Sequence, residues 1–521
     1  MKNASQKQQR KHKRWFYALR RQRFAIIFLL LVQFALFGLL IASTSRISEY
    51  IEYSLHLLSL AVCIGIIARE KKQAYKVVWV FIILALPVFG GLFYLLFKWQ
   101  TSQRRVSKHF AKFEAQARPM FNMGQDKLPL LEAQCPSQLV GTRYLQQSEG
   151  FPVYTATKTT FFPLGDVWYG DIIQELERAQ KYIFLEYFII EEGEFWDNVL
   201  NVITKKAAEG VDVRLMFDDI GCFLTLPKGY SKKLEAAGIK CHVFNKFKPI
   251  VSGLQNNRDH RKITSIDGKV AYTGGCNMAD EYINKKIKHG HWKDCALKLD
   301  GEAAWGLTLI FMQMWTACTD THENLSDFYP YFDSPCEIQD DGFVQPYADS
   351  PLDQTNVGEN VYLGIIQNAK KYLYINTPYL IPDESILSAL LLCAKSGVDV
   401  KIITPGIWDK KLVHMTTRSY YRELIAAGVE IYEYSDGFNH SKTFLSDDCV
   451  ATVGTTNLDY RSLYLHFECG VRLSCTSSVI KIKEDFLDTL AKCDRKTLED
   501  CQAKLPLRIL QDILRIFAPL M

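Results

Sequence analysis

The spacing of apolar and polar positions divides the chain into three kinds of stretch. Long apolar runs come first: residues 24–43, with Gln33 the only strongly polar member; residues 54–68, which carry His56; and residues 77–97, with Trp79, Tyr94 and Trp99 near the ends. About 20 helical residues cross a bilayer core. Residues 1–100 are therefore expected to form an anchor of two or three transmembrane segments rather than a cleaved signal peptide. Residues 101–150 read as a polar connector with helical pieces. From about residue 155 short apolar strands alternate with amphipathic helices. Residues 171–181, 196–209 and 231–237 are helical in pattern; 182–190, 211–217 and 241–244 are strands. Short strands between helices predict an α/β fold built on a largely parallel sheet.

Residues 358–470 repeat this plan. AQKYIFL (179–185) matches AKKYLYI (369–375), EGVDVRL (209–215) matches SGVDVKI (396–402), and AAGI (236–239) matches AAGV (426–429). DCALKL (294–299) matches ECGVRL (468–473). The order is preserved with small insertions, so the chain carries a duplicated α/β domain. Expected boundaries are 151–320 for the first copy and 321–521 for the second, with residues 320–345 joining them. The second copy ends in an amphipathic helix, with Leu507, Leu510, Leu514 and Phe517 near one face, read as docked on its domain or lying in a membrane interface.

Charge narrows the function class. The net charge is +5, but residues 1–23 hold nine Lys/Arg and no acid, and the remainder is close to neutral. That distribution fits an anionic membrane surface and weighs against nucleic acid. The basic flanks do not settle topology, because residues 1–23, 69–76 and 98–112 are all basic. The 14 cysteines show no CxxC or zinc spacing and read as small buried hydrophobes.

Each copy carries one polar motif. In the first, His260 and Lys262 are followed by Asp267 and by Asn277 within GGCN (274–277). In the second, His440 and Lys442 are followed by Asp447 and by Asn457 within GTTN (454–457). The His-to-Asn interval is 17 residues in both. On a strand, residues i and i+2 share a face, so His and Lys point together. Asp267-Gly268 is a hairpin turn signal, which puts Asp267, and by analogy Asp447, at the far end as a brace. Two facing motifs supply two imidazoles, two ammonium groups and two amides. Lys262 and Lys442 suit non-bridging phosphate oxygens, as do Asn277 and Asn457. One histidine attacks phosphorus; the other protonates the leaving alcohol and deprotonates the incoming one. The lysines take the part of a metal, so no metal or cofactor is expected. Each histidine needs a carboxylate on its other ring nitrogen, and Asp294 and Glu468, equivalent in the repeat, are nominated. Asp218-Asp219 is read as loop-shaping, Glu186 as dispensable because Asn376 replaces it, and His291 and His466 as neighbours of the nominated carboxylates.

These residues resemble the phospholipase D superfamily through the paired HxKxxxxD motifs with downstream GGxN and GTxN. FDDIG (217–221), NRDHRK (257–262), WKD (292–294), NTPYLIP (376–382), IYEY (431–434) and NLDYRS (457–462) are similar to bacterial cardiolipin synthases, over roughly residues 50–521. The resemblance implies a pseudo-twofold pair of α-β-α sandwiches with one composite site, His260 as the nucleophile, and a multi-pass protein of the bacterial cell membrane. It also implies the reaction: two phosphatidylglycerols give cardiolipin and glycerol. Phospholipid hydrolysis, transfer to another alcohol, a nuclease and a non-catalytic scaffold are the alternatives. The departures are Thr455, where serine is usual, and the extra basic and apolar section at 1–43.

Overall fold

The computed structural model describes residues 46–69, 72–86, 90–91, 94, 101–121, 126–247, 253–331, 336–352, 355–502 and 504–520. They fall into two compact units, one within Met1–Arg104, Phe247–Asn256 and Arg515–Met521, the other within Arg105–Lys246 and Asn257–Leu514.

In the smaller unit, helices α1 (Arg46–Arg69) and α2 (Gln73–Ala85) pack through Cys63, Ile66, Trp79 and Ile83, together with Tyr94. This corrects the expected transmembrane anchor. Among the described residues no helix is long and apolar enough to cross a membrane, and a multi-pass arrangement is unsupported. Helix α2 has 13 residues, about 20 Å of helix against a hydrocarbon core of about 30 Å. Helix α1 has 24, but Arg46, Glu49, Glu52, Ser54, His56 and Ser59 interrupt its first half and leave only residues 60–68 as an unbroken apolar run. The run 24–43 lies outside the described residues, as do parts of 77–97.

The larger unit is built on two sheets. The first repeat supplies β1 (Thr157–Phe162), β2 (Tyr182–Tyr187), β3 (Asp212–Asp218), β4 (Lys240–Phe244), β5 (Lys262–Ile266), β6 (Val270–Gly274), β7 (His291–Lys293) and β8 (Ala296–Gly301). The second supplies β9 (Phe343–Asp349), β10 (Tyr372–Asn376), β11 (Asp399–Pro405), β12 (Glu430–Tyr434), β13 (Gly437–Asn439), β14 (Thr443–Ser446), β15 (Val450–Gly454), β16 (Glu468–Ser474) and β17 (Cys493–Lys496). One sheet runs β1-β8-β6-β5-β2-β3-β4; the other runs β9-β16-β15-β14-β10-β11-β12-β17. The orders correspond strand for strand, with β17 added at one edge. Within these two sheets only β2-β3-β4 and β10-β11-β12 pair in parallel; the strands around the motifs pair antiparallel. The expected largely parallel sheet is thus mixed. The motif strands return through tight turns, and a tight turn joins only antiparallel neighbours.

Burial explains the strand composition. All six residues of β2 are buried, as expected for a strand covered on both faces. Helix α3 (Gly165–Arg178) presents Trp168, Ile172 and Leu176, spaced at one helical face, to the outer face of the first sheet. On the inner side lies α4 (Ala303–Thr319), apolar almost all round. It shares one core with Phe184, Ile263 and Leu297 of the first sheet and Leu445, Val453 and Val471 of the second. Cys135 and Cys475 form a disulfide, with Cys449 Sγ 3.5 and 3.6 Å from the two sulfurs. The sequence spacing did not disclose this meeting of three distant segments. In helix α5 (Leu505–Phe517), Leu514 is buried while Leu507 and Leu510 remain exposed.

Candidate active site

The site is assembled by strands that cross between repeats. β13 pairs in parallel with β7, matching Asn439 with Lys293. A parallel bridge joins Asp259 to Phe467, the equivalent positions. Each crossing lays the residue before a motif histidine beside the residue before the other repeat's carboxylate. The backbone seals it: His260 N–H donates to Phe467 O at 2.9 Å, and His440 N–H to Lys293 O at 2.7 Å. His260 Nδ1 therefore meets both Glu468 oxygens at 3.0 Å, and His440 Nδ1 meets Asp294 Oδ2 at 2.6 Å. Each imidazole is held by a carboxylate from the opposite repeat.

Both lysines begin or adjoin the motif strands and are buried. Lys262 Nζ donates to His260 O at 2.6 Å, and Lys442 Nζ donates to His440 O. Lys442 Nζ also lies 2.8 Å from His440 Nδ1. That nitrogen cannot donate to Asp294 and accept from lysine at once. The buried carboxylate is the stronger claimant, so Nδ1–H faces Asp294 and Nε2 keeps its lone pair. Burial pulls His260 down to about 3 and His440 to about 4, against the upward pull of their carboxylates. Both are neutral at neutral pH. Burial brings Lys262 down to about 8, opposed first by Glu468, with Lys442 lowering it further; Asp294 also acts on it. Both halves thus lie within electrostatic reach of one another. Burial alone would push the Glu468 carboxyl up, but the His260 and His466 imidazoles hold it well below the usual carboxylate range. Thr455 Oγ1 adds a 2.5 Å hydrogen bond to Glu468, so the residue that stands where serine is usual supplies the same hydroxyl.

Asp267 and Asp447 are not in this cluster. They occupy the turns at the far ends of β5 and β14, with φ of 53° and 56°. Asp267 accepts from the N–H groups of Gln180, Lys181 and Tyr182 at 2.7–2.8 Å. Asp447 accepts from those of Lys370, Lys371 and Tyr372 at 2.7–3.0 Å. Each ties its hairpin to the start of the neighbouring strand. Asn277 is occupied: its Oδ1 accepts from Ile189 N–H at 2.9 Å and its Nδ2 donates to Tyr282 Oη at 2.7 Å. Asn457 Oδ1 is buried with no hydrogen-bond partner among the described residues.

Several supporting residues had no signal in the motif itself. Arg258 grips Asp218 through Nε and Nη2 at 2.8–3.1 Å, and Asp218 also caps the backbone at Ile220 and Gly221. Fully buried Arg261 donates to Glu468 O at 3.2 Å. Glu186 and Asp259 face each other in the core beside Arg261, and burial drives both carboxyls upward, Asp259 to about 6. The repeat offered the clue: positions 258 and 261 are Arg in one copy, while 438 and 441 are Phe and Ser in the other. Charges not demanded by the fold must be satisfied locally. A cavity of about 540 Å³ beside β7, lined by His291, Lys293, Tyr434 and Asp485, contains none of the motif residues. Among the described residues, the ligand atoms of His260, His466 and Glu468 lie within 4.8 Å of one another, close enough to share one metal ion.

The family described as "Cardiolipin synthase, PLD-like domain" matches residues 172–289 and 362–490, and "Phospholipase D-nuclease N-terminal" matches 57–99. An uncharacterized protein of Streptococcus mutans is 43% identical over 447 residues, covering 85% of this chain and 96% of that one. A cardiolipin synthase of Geobacillus kaustophilus is 35% identical over 460 residues, covering 87% and 90%. Among solved structures, a phosphatidylserine synthase of Haemophilus influenzae overlays with a TM-score of 0.54 at 15% identity, covering 73% of this chain and 98% of that one; the likeness is one of fold.

Proposed function

The chain belongs to the cardiolipin synthase family of phospholipase D-like proteins, and from that premise we propose how its site works. It is a phosphatidyltransferase, and its phospholipid substrates put the reaction at a membrane surface. Residues 151–320 and 321–521 each contribute half of the site. One phosphatidylglycerol donates its phosphatidyl group to a second, giving cardiolipin and glycerol.

The observation that carries this reading is the crossed arrangement: two imidazoles, each held at Nδ1 by a carboxylate of the other repeat. Nε2 of neutral His260 attacks phosphorus, and the bond from phosphorus to the glycerol oxygen breaks. Protonated His440 gives its proton to that oxygen. The hydroxyl of the second phosphatidylglycerol then returns a proton to His440 and attacks phosphorus, breaking the phosphorus–nitrogen bond. Lys262, Lys442, Asn457 and the amide hydrogen that Asn277 does not give to Tyr282 stabilise the non-bridging oxygens. Charge balance supports these roles. Two lysines face two carboxylates in the site, and its imidazoles are neutral. The phosphodiester brings one negative charge, which a proton taken up by His440 balances.

The test is turnover of phosphatidylglycerol in mixed micelles by the purified full chain with a chelator present. Cardiolipin and glycerol in equal amounts are expected. Phosphatidic acid without cardiolipin would make the acceptor water. Loss of activity with chelator, restored by a divalent metal, would turn His260, His466 and Glu468 into a ligand set.

A further inference from the structure

Two residues before each carboxylate the repeats differ: Trp292 precedes Asp294, and His466 precedes Glu468. The two side chains nevertheless take equivalent places. The Trp292 ring lies 5.3 Å from that of His440, and the His466 ring 5.4 Å from that of His260. Both are well enclosed. Trp292 Nε1 and both ring nitrogens of His466 are buried without a hydrogen-bond partner among the described residues. His466 Nδ1 lies 3.6 Å from Glu468 Oε1, beyond hydrogen-bond range; that oxygen already meets His260 Nδ1, and Thr455 Oγ1 donates to the other, Oε2.

Buried polar atoms are nearly always paired, and an exception in a functional cleft points to a missing ligand. Here two exceptions fall at symmetric positions of one site. What indole and imidazole share chemically is a single N–H donor on an aromatic ring. Indole cannot accept, so a ligand recognised in the same way at both positions must offer acceptors. A phosphoryl group offers only acceptors, and the pseudo-twofold axis would present oxygens to both sides. The lysines leave room for such partners, since each Nζ spends a hydrogen on the carbonyl of its own motif histidine.

We propose that Trp292 and His466 are a further pair of phosphate-recognition residues, whose ring N–H groups donate to the phosphoryl oxygens, one from each half of the site. The proposal rests on the phosphatidyl-transfer reading above. It makes the site's donor set symmetric although its sequence is not: one lysine, one motif amide and one ring N–H from each repeat. Trp292 is further packed between Tyr282 and Phe438, each 4.9 Å away, which holds the indole edge in place.

The test measures the inhibition constant of inorganic phosphate against phosphatidyl transfer in the full-length protein. Trp292→Phe and His466→Phe keep a ring and remove the N–H; His466→Gln keeps a donor. Each phenylalanine variant is expected to weaken phosphate about tenfold, the scale of one hydrogen bond to a charged group. The glutamine variant is expected to stay within about threefold. Addition of phosphate to the wild type should also shift one indole N–H resonance downfield, the one missing from Trp292→Phe. Unchanged phosphate inhibition in both phenylalanine variants overturns the proposal, as does equal weakening in His466→Gln and His466→Phe. If His466→Phe does not fold, Trp292→Phe and the indole resonance decide. A wild type that forms no phosphohistidine and transfers no phosphatidyl group removes the parent reading instead, while phosphate binding still reports on the N–H groups.

Discussion

His260 and His440 make the same hydrogen bond in different company. His440 is boxed by the rings of Trp292, Phe438 and Tyr282, at 5.3–5.8 Å. The repeat equivalents of those three residues are His466, Arg258 and Ser462, and the rings packed on His260 are instead those of Phe188 at 5.0 Å and His466 at 5.4 Å. The strand before each motif differs too. Asn376 and Asn439 are joined by an amide hydrogen bond of 2.9 Å. Their counterparts, Glu186 and Asp259, are both carboxyls. An amide pair always has a donor; a carboxyl pair has one only if it keeps a proton. The duplication preserved backbone crossings and hydrogen-bond positions and let charge drift, because geometry sets the reaction while charge can be balanced by a neighbour such as Arg261.

The largest effect should come from the histidines. His260→Ala and His440→Ala are each expected to lower turnover by a factor of about 10³ or more. They differ in what accumulates: rapid quenching with labelled substrate should place acid-labile phosphate on His260. A label on His440 would exchange the roles of the two halves. Next come the crossed carboxylates. Glu468→Gln and Asp294→Asn should each cost about 100-fold in kcat by loosening the tautomer, with KM changed far less. If only one of them matters, the two half-sites are not equivalent as acid and base.

Asp267→Ala and Asp447→Ala should act on folding rather than chemistry. Each removes three backbone hydrogen bonds, part of them at the surface, for an expected loss of about 1–2 kcal/mol in urea melts. Loss of kcat without loss of stability would bring these residues into the mechanism. The smallest effect concerns the buried carboxyl pair. Burial raises both groups, so the folded protein holds a proton that the unfolded chain releases. The associated stability is fully present below the ordinary aspartate value of 3.8 and is lost as pH rises through about 6, the value reached by Asp259. Glu186→Gln, which imitates the second repeat, should flatten that decline in urea melts taken between about pH 4 and 7. An unchanged slope would mean that the pair carries no proton.

Much of the local structure was legible before any coordinates. The strand expected at 211–217 is β3 at Asp212–Asp218, and the helix expected at 196–209 spans Glu194–Ala208, because apolar periodicity reports which face is buried. The Asp267-Gly268 signal marks a turn in which both residues have positive φ. The anchor was misread, since hydropathy alone does not register how polar residues break α1 or how short α2 is. The partners in the disulfide and in the Arg258–Asp218 clamp were not legible, because they lie far apart in the chain.

By itself the sequence determined the inventory: a duplicated α/β unit, one His-Lys-Asn set in each copy, and one acid after each set. All of these follow from local periodicity and repetition, which a linear chain carries in full. The hairpin signal also set Asp267 and Asp447 apart, whereas only the tertiary structure decided that each acid serves the other copy's histidine. It alone also left Trp292 and His466 with unspent donors. Those outcomes depend on which strands cross between the repeats, and strand crossing is set by burying two sheets against one shared helix, a property of the packed molecule that no short segment encodes.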